Sequence, residues 1–444
     1  MKNLYKNFMK TCALCSVAGT LSTAANAADK ELLDILLGNS AITQAQYEEL
    51  LAKEEMTTED VEDIVLSFGG GSGLNVSANN GDFEVEIGGR LHLEYAQHEN
   101  DSRMGALPVN GSTTRRARLE MDGLLYGKWG WAAEFDFAEN KTKLKDVKMG
   151  YEGEKVSTYW GHQKQPYSLS LEMSSNDIPF LERSVDNAMV AELTDRAIGV
   201  RVETSGDNWF FAGGLFGDEI GTGVQGDEGW ATMGRFVYAP IINDDMVVHL
   251  GIRGALRSMS DPMEFRVRDE TTDWSNFSIV DTGTLNGADE VTMYGPEFAF
   301  AMGPLTLMGE YSTMEVSRVG VPDAEFDAWH IGGAISLTGD NRAPFYRMSA
   351  GEFKGVRPGK PFDPASGQWG GFELVARYAS IDLNDGSLTG GNEDVVNAGV
   401  NWYLNRNIRF LFDWTHILDT DESNTVRLYA PGMDLFRIRT QYNY

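Results

Sequence analysis

Sixteen segments in which apolar and polar residues alternate, short turns that alternate with long loops, and aromatic residues at segment ends predict an all-β chain: a sixteen-stranded antiparallel transmembrane β-barrel. The segments run at 82–97, 113–126, 129–139, 144–153, 155–164, 196–205, 208–217, 229–240, 245–257, 290–301, 304–314, 326–338, 370–383, 395–404, 408–417 and 432–444. A length of 444 residues admits two or three soluble domains or one large barrel, and 49 Gly with 10 Trp, 16 Tyr and 22 Phe favour the β-rich choice.

The chain opens on Lys2, Lys6 and Lys10, a weakly apolar stretch from Thr11 to Leu21, and Ala25-Asn26-Ala27, the pattern of a secretory signal peptide over 1–27 with the mature chain starting near Ala28. Both cysteines, Cys12 and Cys15, fall inside it and leave with it, so stability has to come from a core or from sheet closure rather than from disulfides. Cleavage takes the formal charge from −29 to −32, which argues against nucleic acid as a partner, since counterion release needs a basic surface. No later window holds eighteen consecutive apolar residues, so no transmembrane helix follows.

Residues 28–68 read as a periplasmic helical segment. Leu32, Leu33, Ile35, Leu36 and Leu37 are followed by a break at Gly38-Asn39-Ser40, and Ile42, Tyr47, Leu50 and Leu51 resume the spacing, with Thr43 and Gln46 placed as a capping box. Thr57 or Thr58 caps a third short helix through Val61, Ile64, Val65 and Leu66. With 11 acids, 2 bases and too few residues for a core, the segment is either a helical or coiled-coil appendage that self-associates or packs on a partner, or a partly disordered spacer. Residues 69–81, beginning Gly69-Gly70-Gly71-Ser72-Gly73, read as a flexible linker to a barrel over 82–444.

In the barrel the period falls to two. Phe83, Val85, Ile87, Leu91, Leu93 and Tyr95 interleave with Glu84, Glu86, Arg90, His92 and Glu94, and Ala117, Leu119, Met121 and Leu125 with Arg116, Arg118, Glu120 and Asp122. After Tyr126-Gly127-Lys128, Trp129, Trp131, Ala133, Phe135 and Phe137 alternate with Glu134 and Asp136. Met246, Val248, Leu250 and Ile252 then alternate with His249, Arg253 and Arg257, and Ile408, Phe410, Phe412 and Trp414 with Arg409 and Asp413. The last strand sets Phe436, Ile438, Thr440, Tyr442 and Tyr444 against Arg437, Arg439, Gln441 and Asn443, a terminal aromatic pattern suited to the barrel-insertion machinery. Charge on one face of so many strands is expensive in the dry core of a soluble sandwich and suits a water-filled lumen. Tyr126, Trp129, Tyr159, Trp160, Trp402 and Tyr403 at strand ends suit an interfacial girdle. With both termini periplasmic, 98–112, 140–143, 165–195, 218–228, 258–290, 315–325, 384–394 and 418–431 face outward, and 339–369 is an unusually long periplasmic connection.

Several stretches resemble the phosphate-selective porin O and P family of Gram-negative outer-membrane porins. They are Arg115 to Leu119, Trp129 to Phe137, Gly161 to Ser168, Phe180-Leu181-Glu182-Arg183-Ser184, Phe353 to Pro364, Trp369 to Asp385 and Asn401 to Phe410, in order over roughly 80–444. The resemblance implies a homotrimer, a third external loop (here 165–195) folded into the lumen, and arginines and lysines lining an anion path. Arg115 and Arg116 match the family's arginine pair.

Anion passage suits a row of separate cationic side chains better than one deep site. Inward parity selects Arg116, Arg118, Arg201, Arg235, Arg253, Arg257, Arg377, Arg409, Arg437 and Arg439; Arg115 and Arg183 join them, and 339–369 adds Lys354, Arg357 and Lys360. The alternative is that these arginines pair with Glu120, Asp122, Glu134, Asp136, Glu373 and Asp413 to stiffen the wall. Against an anion path, loop 165–195 carries six acids and one base, and loop 258–290 eight acids against Arg266 and Arg268. Those acids suit Ca²⁺ or Mg²⁺ bridges to lipopolysaccharide, or simple solvation.

The expected function is an outer-membrane porin for passive diffusion of small hydrophilic solutes, with phosphate or other anions as the family's suggestion. A non-selective or cation-preferring porin, or a structural barrel attached through 28–68, stays open. No enzyme, cofactor or metal site is expected. Gly221-Thr222-Gly223-Val224-Gln225-Gly226 fits the dinucleotide glycine string without the following helix, and the six histidines are scattered singly.

Overall fold

A computed structural model describes residues 33–39, 41–48, 64–68, 73–99, 110–217, 229–269, 278–420 and 432–444. The signal-peptide segment, the Gly221–Gly226 string and much of loops 98–112, 218–228 and 418–431 lie outside the described residues, as do 270–277 of loop 258–290.

Among the described residues sixteen antiparallel strands close a barrel. They are β1 (Phe83–Glu99), β2 (Asn110–Leu125), β3 (Trp129–Asp136), β4 (Lys143–Glu152), β5 (Val156–Lys164), β6 (Arg196–Ser205), β7 (Trp209–Phe216), β8 (Trp230–Ile242), β9 (Met246–Phe265), β10 (Leu285–Met302), β11 (Leu305–Arg318), β12 (Ala324–Ser336), β13 (Gly371–Asp385), β14 (Leu388–Tyr403), β15 (Ile408–Thr420) and β16 (Asp434–Asn443). Each pairs with its chain neighbour, and β16 closes on β1 with Arg439 opposite Glu94. Tyr444 completes the seam, its N–H and carbonyl exchanging hydrogen bonds with Gly89 at 3.1 and 3.0 Å. The period-two pattern sorts as expected: Leu93, Tyr95, Phe236, Tyr238, Leu250 and Ile252 are exposed on the outside, while Arg90, His92, Arg235 and His249 are buried inside.

Three expectations change. The external connection 384–394 is a two-residue turn, because Asp385 pairs with Leu388 and Gly386 (φ 57°) takes the first central position that such hairpins reserve for glycine. Strands β9 and β10 extend to Phe265 and back to Leu285, so loop 258–290 shrinks to 266–284. Leu74–Ala78, inside the expected linker 69–81, is a strand paired with β1, since Leu74, Val76 and Ala78 already alternate with polar residues.

The N-terminal unit is helical at 33–38 and 44–48. Thr43 N–H donates to Gln46 Oε1 (3.0 Å) and Gln46 N–H to Thr43 Oγ1 (3.3 Å), the reciprocal bonds of a capping box. The expected third helix ends differently: Val65–Phe68 is a strand, its β-branched and aromatic residues outweighing a weak helical spacing, and 49–63 lie outside the described residues.

Two segments turn into the lumen, one from each end. From the long-loop end, 165–195 carries the helix Leu169–Glu172, capped by the Ser168 hydroxyl, and the helix Asn187–Thr194. From the short-turn end, 337–370 carries a small hairpin pairing Tyr346 with Phe353 and Arg347 with Glu352. They meet at Asp177, whose carbonyl accepts from Arg342 (3.0 Å) and whose carboxylate accepts from Gly355 N–H (2.9 Å). Leu169, Met173, Ile178 and Phe180 of the first pack with Tyr346 and Phe353 of the second against Val247, Ala299, Ala301, Ala334 and Val375 on the inner face of β9–β13. That wall is therefore dry, a correction to the expectation of water along the whole inner surface.

Candidate functional site

The open space lies on the opposite side. A cavity of about 770 Å³ is bounded by the inner faces of β1–β6, by residues 172–183 and by the hairpin segment, and thirteen basic against nine acidic side chains line it. A second cavity of about 390 Å³ lies at the long-loop end, bordered by Arg115, Glu182, Arg377 and Arg437. Arg183 lines both, so residues 182 and 183 form the partition between them.

The partition is built around one carboxylate. Glu182 accepts two hydrogen bonds from Arg116 (2.8 and 3.1 Å), one from Arg115 (3.0 Å) and a further one from Arg439. Neighbouring residues of a regular strand point to opposite faces, so Arg115 and Arg116 reach the same group only because β2 bulges there. His92 pairs with Arg116 and Leu93 with Thr114, leaving Arg115 as the extra residue. Burial alone raises the Glu182 carboxyl, but Arg115, Arg116 and Arg439 outweigh it and hold it well below the usual carboxylate range. Arg183 points away into its own loop, donating to the carbonyls of Ser170 (2.6 Å) and Met173 (2.9 Å), and burial lowers its guanidinium to about 10. Arg377 donates to the carbonyls of Glu182 (3.1 Å) and Arg183 (3.4 Å), and lies over the Phe180 ring.

The other expected path residues divide. Arg118 and Arg201 line the larger cavity, each held by acids: Arg118 donates to Asp136 at 2.7 Å and pairs with Glu134, and Arg201 grips Glu172 at 3.0 and 3.2 Å. Arg409 lines it too, bonded to the Ile178 carbonyl (2.9 Å) and Gln441 (2.8 Å). Lys354 is 3.0 Å from Glu352, and Arg357, exposed, lies over Phe345. Arg437 borders the outer cavity with Asp413 at 2.7 Å.

Arg439, at 0% exposure, lines neither space, and four more do not. Arg235 and Arg253 are sealed, with fully buried side chains, around Glu297. Arg235 also donates to Gly351 O (2.8 Å), and Arg253 to Ser312 (2.8 Å). Arg257 donates to Gly217 O at 3.4 Å, and Lys360 is exposed on the short-turn side. Strand parity placed Arg235 and Arg253 on the inner face; the inserted segments then covered them.

Sequence reasoning passed over Arg90, which donates to Ser174 and Ser175 at 3.0 Å, and Arg196, 2.7 Å from Asp146. Arg90 stood on the charged face of its strand, and that parity was signal enough. Arg342, 2.9 Å from Glu373, had no such signal, because a loop residue has no period.

A family model described as phosphate-selective porin O and P matches residues 85–444. A protein of Pseudomonas aeruginosa named porin O is 24% identical over 385 residues, covering 78% of this chain and 85% of that protein. An uncharacterized protein of Caulobacter vibrioides is 29% identical over 351 residues, 74% of this chain and 68% of its own length. Among solved structures, an anion-selective porin from Comamonas acidovorans superposes with a TM-score of 0.54 at 13% identity, covering 82% of this chain and all of the other. The outer membrane protein OmpT of Vibrio cholerae gives 0.54 at 14%, over 82% and 98%.

Proposed function

The chain belongs to the phosphate-selective porin O and P family, and from that premise we propose that it is an anion-preferring diffusion channel of the outer membrane. As a porin it passes small hydrophilic solutes down their gradients without chemistry. The observation that carries the anion preference is the larger cavity, where thirteen bases face nine acids and so leave a net positive lining. Phosphate as the preferred anion rests on the family's name and on the arginines at the partition.

The test is the reversal potential of the purified protein in a planar bilayer under a KCl gradient, repeated with phosphate. Chloride preference with phosphate inhibition of the current is expected; cation preference overturns the reading. A weakly selective general porin is the second reading, favoured by the acids that hold Arg118 and Arg201.

A homotrimer is part of the proposal. Strands β3 and β7 have eight residues each, short of the nine to eleven that a tilted strand needs to cross a bilayer, so neighbouring copies suit that wall better than lipid. Also proposed are cleavage of 1–27, attachment in the periplasm through 28–68, contact of the acidic external loops with lipopolysaccharide through divalent cations, and recognition of the last strand by the insertion machinery.

A further inference from the structure

Three guanidinium groups converging on one point form an oxyanion site, because each offers paired donors matched to carboxylate, phosphate or sulfate oxygens. Arg115, Arg116 and Arg439 converge in this way, and the point they share is held by the Glu182 carboxylate. That carboxylate is not part of the wall. It arrives on the loop that enters from the long-loop end, and it borders the outer cavity together with Arg115. Both keep some exposure there, 19% for the Glu182 side chain and 27% for that of Arg115, while Arg116 and Arg439 lie behind them at 5% and 0%. Arg439 has a second partner in Glu94 at 3.0 Å, so the wall itself compensates part of the cluster's charge.

We infer that Glu182 is a tethered internal anion that fills the oxyanion site of Arg115, Arg116 and Arg439, and that it sets the channel's specificity by competing with divalent oxyanions such as hydrogen phosphate. A tethered carboxylate competes at a high effective concentration, so a free oxyanion has to displace it. The occupied site lets anions pass without holding them, which is what conduction requires. This deepens the anion-channel reading above and rests on it.

The experiment compares parent, Glu182→Gln and Glu182→Asp in planar bilayers. It measures the inorganic phosphate concentration that halves the chloride current, together with single-channel chloride conductance and the KCl reversal potential. Glu182→Gln should lower the half-blocking concentration at least about tenfold, the equivalent of one recovered charge-assisted contact. Glu182→Asp keeps the charge but withdraws it by one methylene, and should fall between the two; it also serves if the glutamine variant does not assemble. A half-blocking concentration unchanged in both variants overturns the proposal, as does a changed chloride conductance with no gain in phosphate block, the signature of a loop merely loosened. The reversal potential is a separate reading: cation preference in the parent overturns the proposed function, while the ratio between variant and parent still decides the role of Glu182.

Discussion

The walls made by β1–β6 and by β8–β13 obey the same inward parity, yet their arginines live in different surroundings. Arg118 and Arg201 on the first wall border the larger cavity, whereas Arg235 and Arg253 on the second are sealed under two inserted segments and share Glu297 with His249. Alternation along a strand decides which face a side chain takes. What lies on the other side of that face is decided by chain that comes from elsewhere in the sequence.

The largest effect should come from the sealed wall. Glu297→Gln removes the carboxylate that compensates the buried Arg235, while Arg253 keeps Glu310 at 3.1 Å. A loss of about 3–5 kcal/mol is expected, read as a lower urea midpoint for unfolding of the detergent-solubilised barrel. A midpoint near the parent's would mean that water reaches this wall and that the two walls are alike.

The open wall should answer in selectivity instead. Arg118→Gln takes the guanidinium from Asp136 and leaves Glu134 with Arg196 at 3.9 Å, and a unit charge at contact distance in water is worth about 1 kcal/mol. The ratio of cation to anion permeability should rise about three- to fivefold in 0.1 M KCl, measured from reversal potentials, with a smaller loss of stability than Glu297→Gln causes. The smallest effect belongs to Arg357, exposed at the short-turn end of the same cavity and, among the described residues, without an acidic partner. Arg357→Gln should change permeability by less than about twofold at 0.1 M salt and by nothing measurable at 1 M, where the Debye length is about 3 Å. Thermal unfolding should not move.

Much of this was legible in the sequence. The sixteen strands, their inward faces and the odd length of the 339–369 connection follow from period and turn chemistry. Thr43 and Gln46, three residues apart, foretold their reciprocal hydrogen bonds. What stayed hidden depends on long-range contact. Nothing local marks Arg115 as a bulge residue, since its register is set by β1, and nothing marks Asp177 as the meeting point of segments more than 150 residues apart. The acids of loop 165–195 read as a repulsive mouth when counted along the chain. In three dimensions Glu172 and Glu182 are the partners of Arg201 and of the arginine cluster, so a count of loop charge had the wrong geometry rather than the wrong sum.

The carboxylate of Glu182 also spans the closing seam of the barrel, touching Arg116 on β2 and Arg439 on β16, residues 66 and 257 positions away from it. Seam formation between the first and last strands brings together groups 345 residues apart, the kind of distant pairing that makes folding slow. The loop is thus a latch with one keeper on β2 and a second on β16, and the second comes into position only when the last strand has arrived. A chain stalled before that step keeps an unpaired strand edge, a template on which another chain can pair.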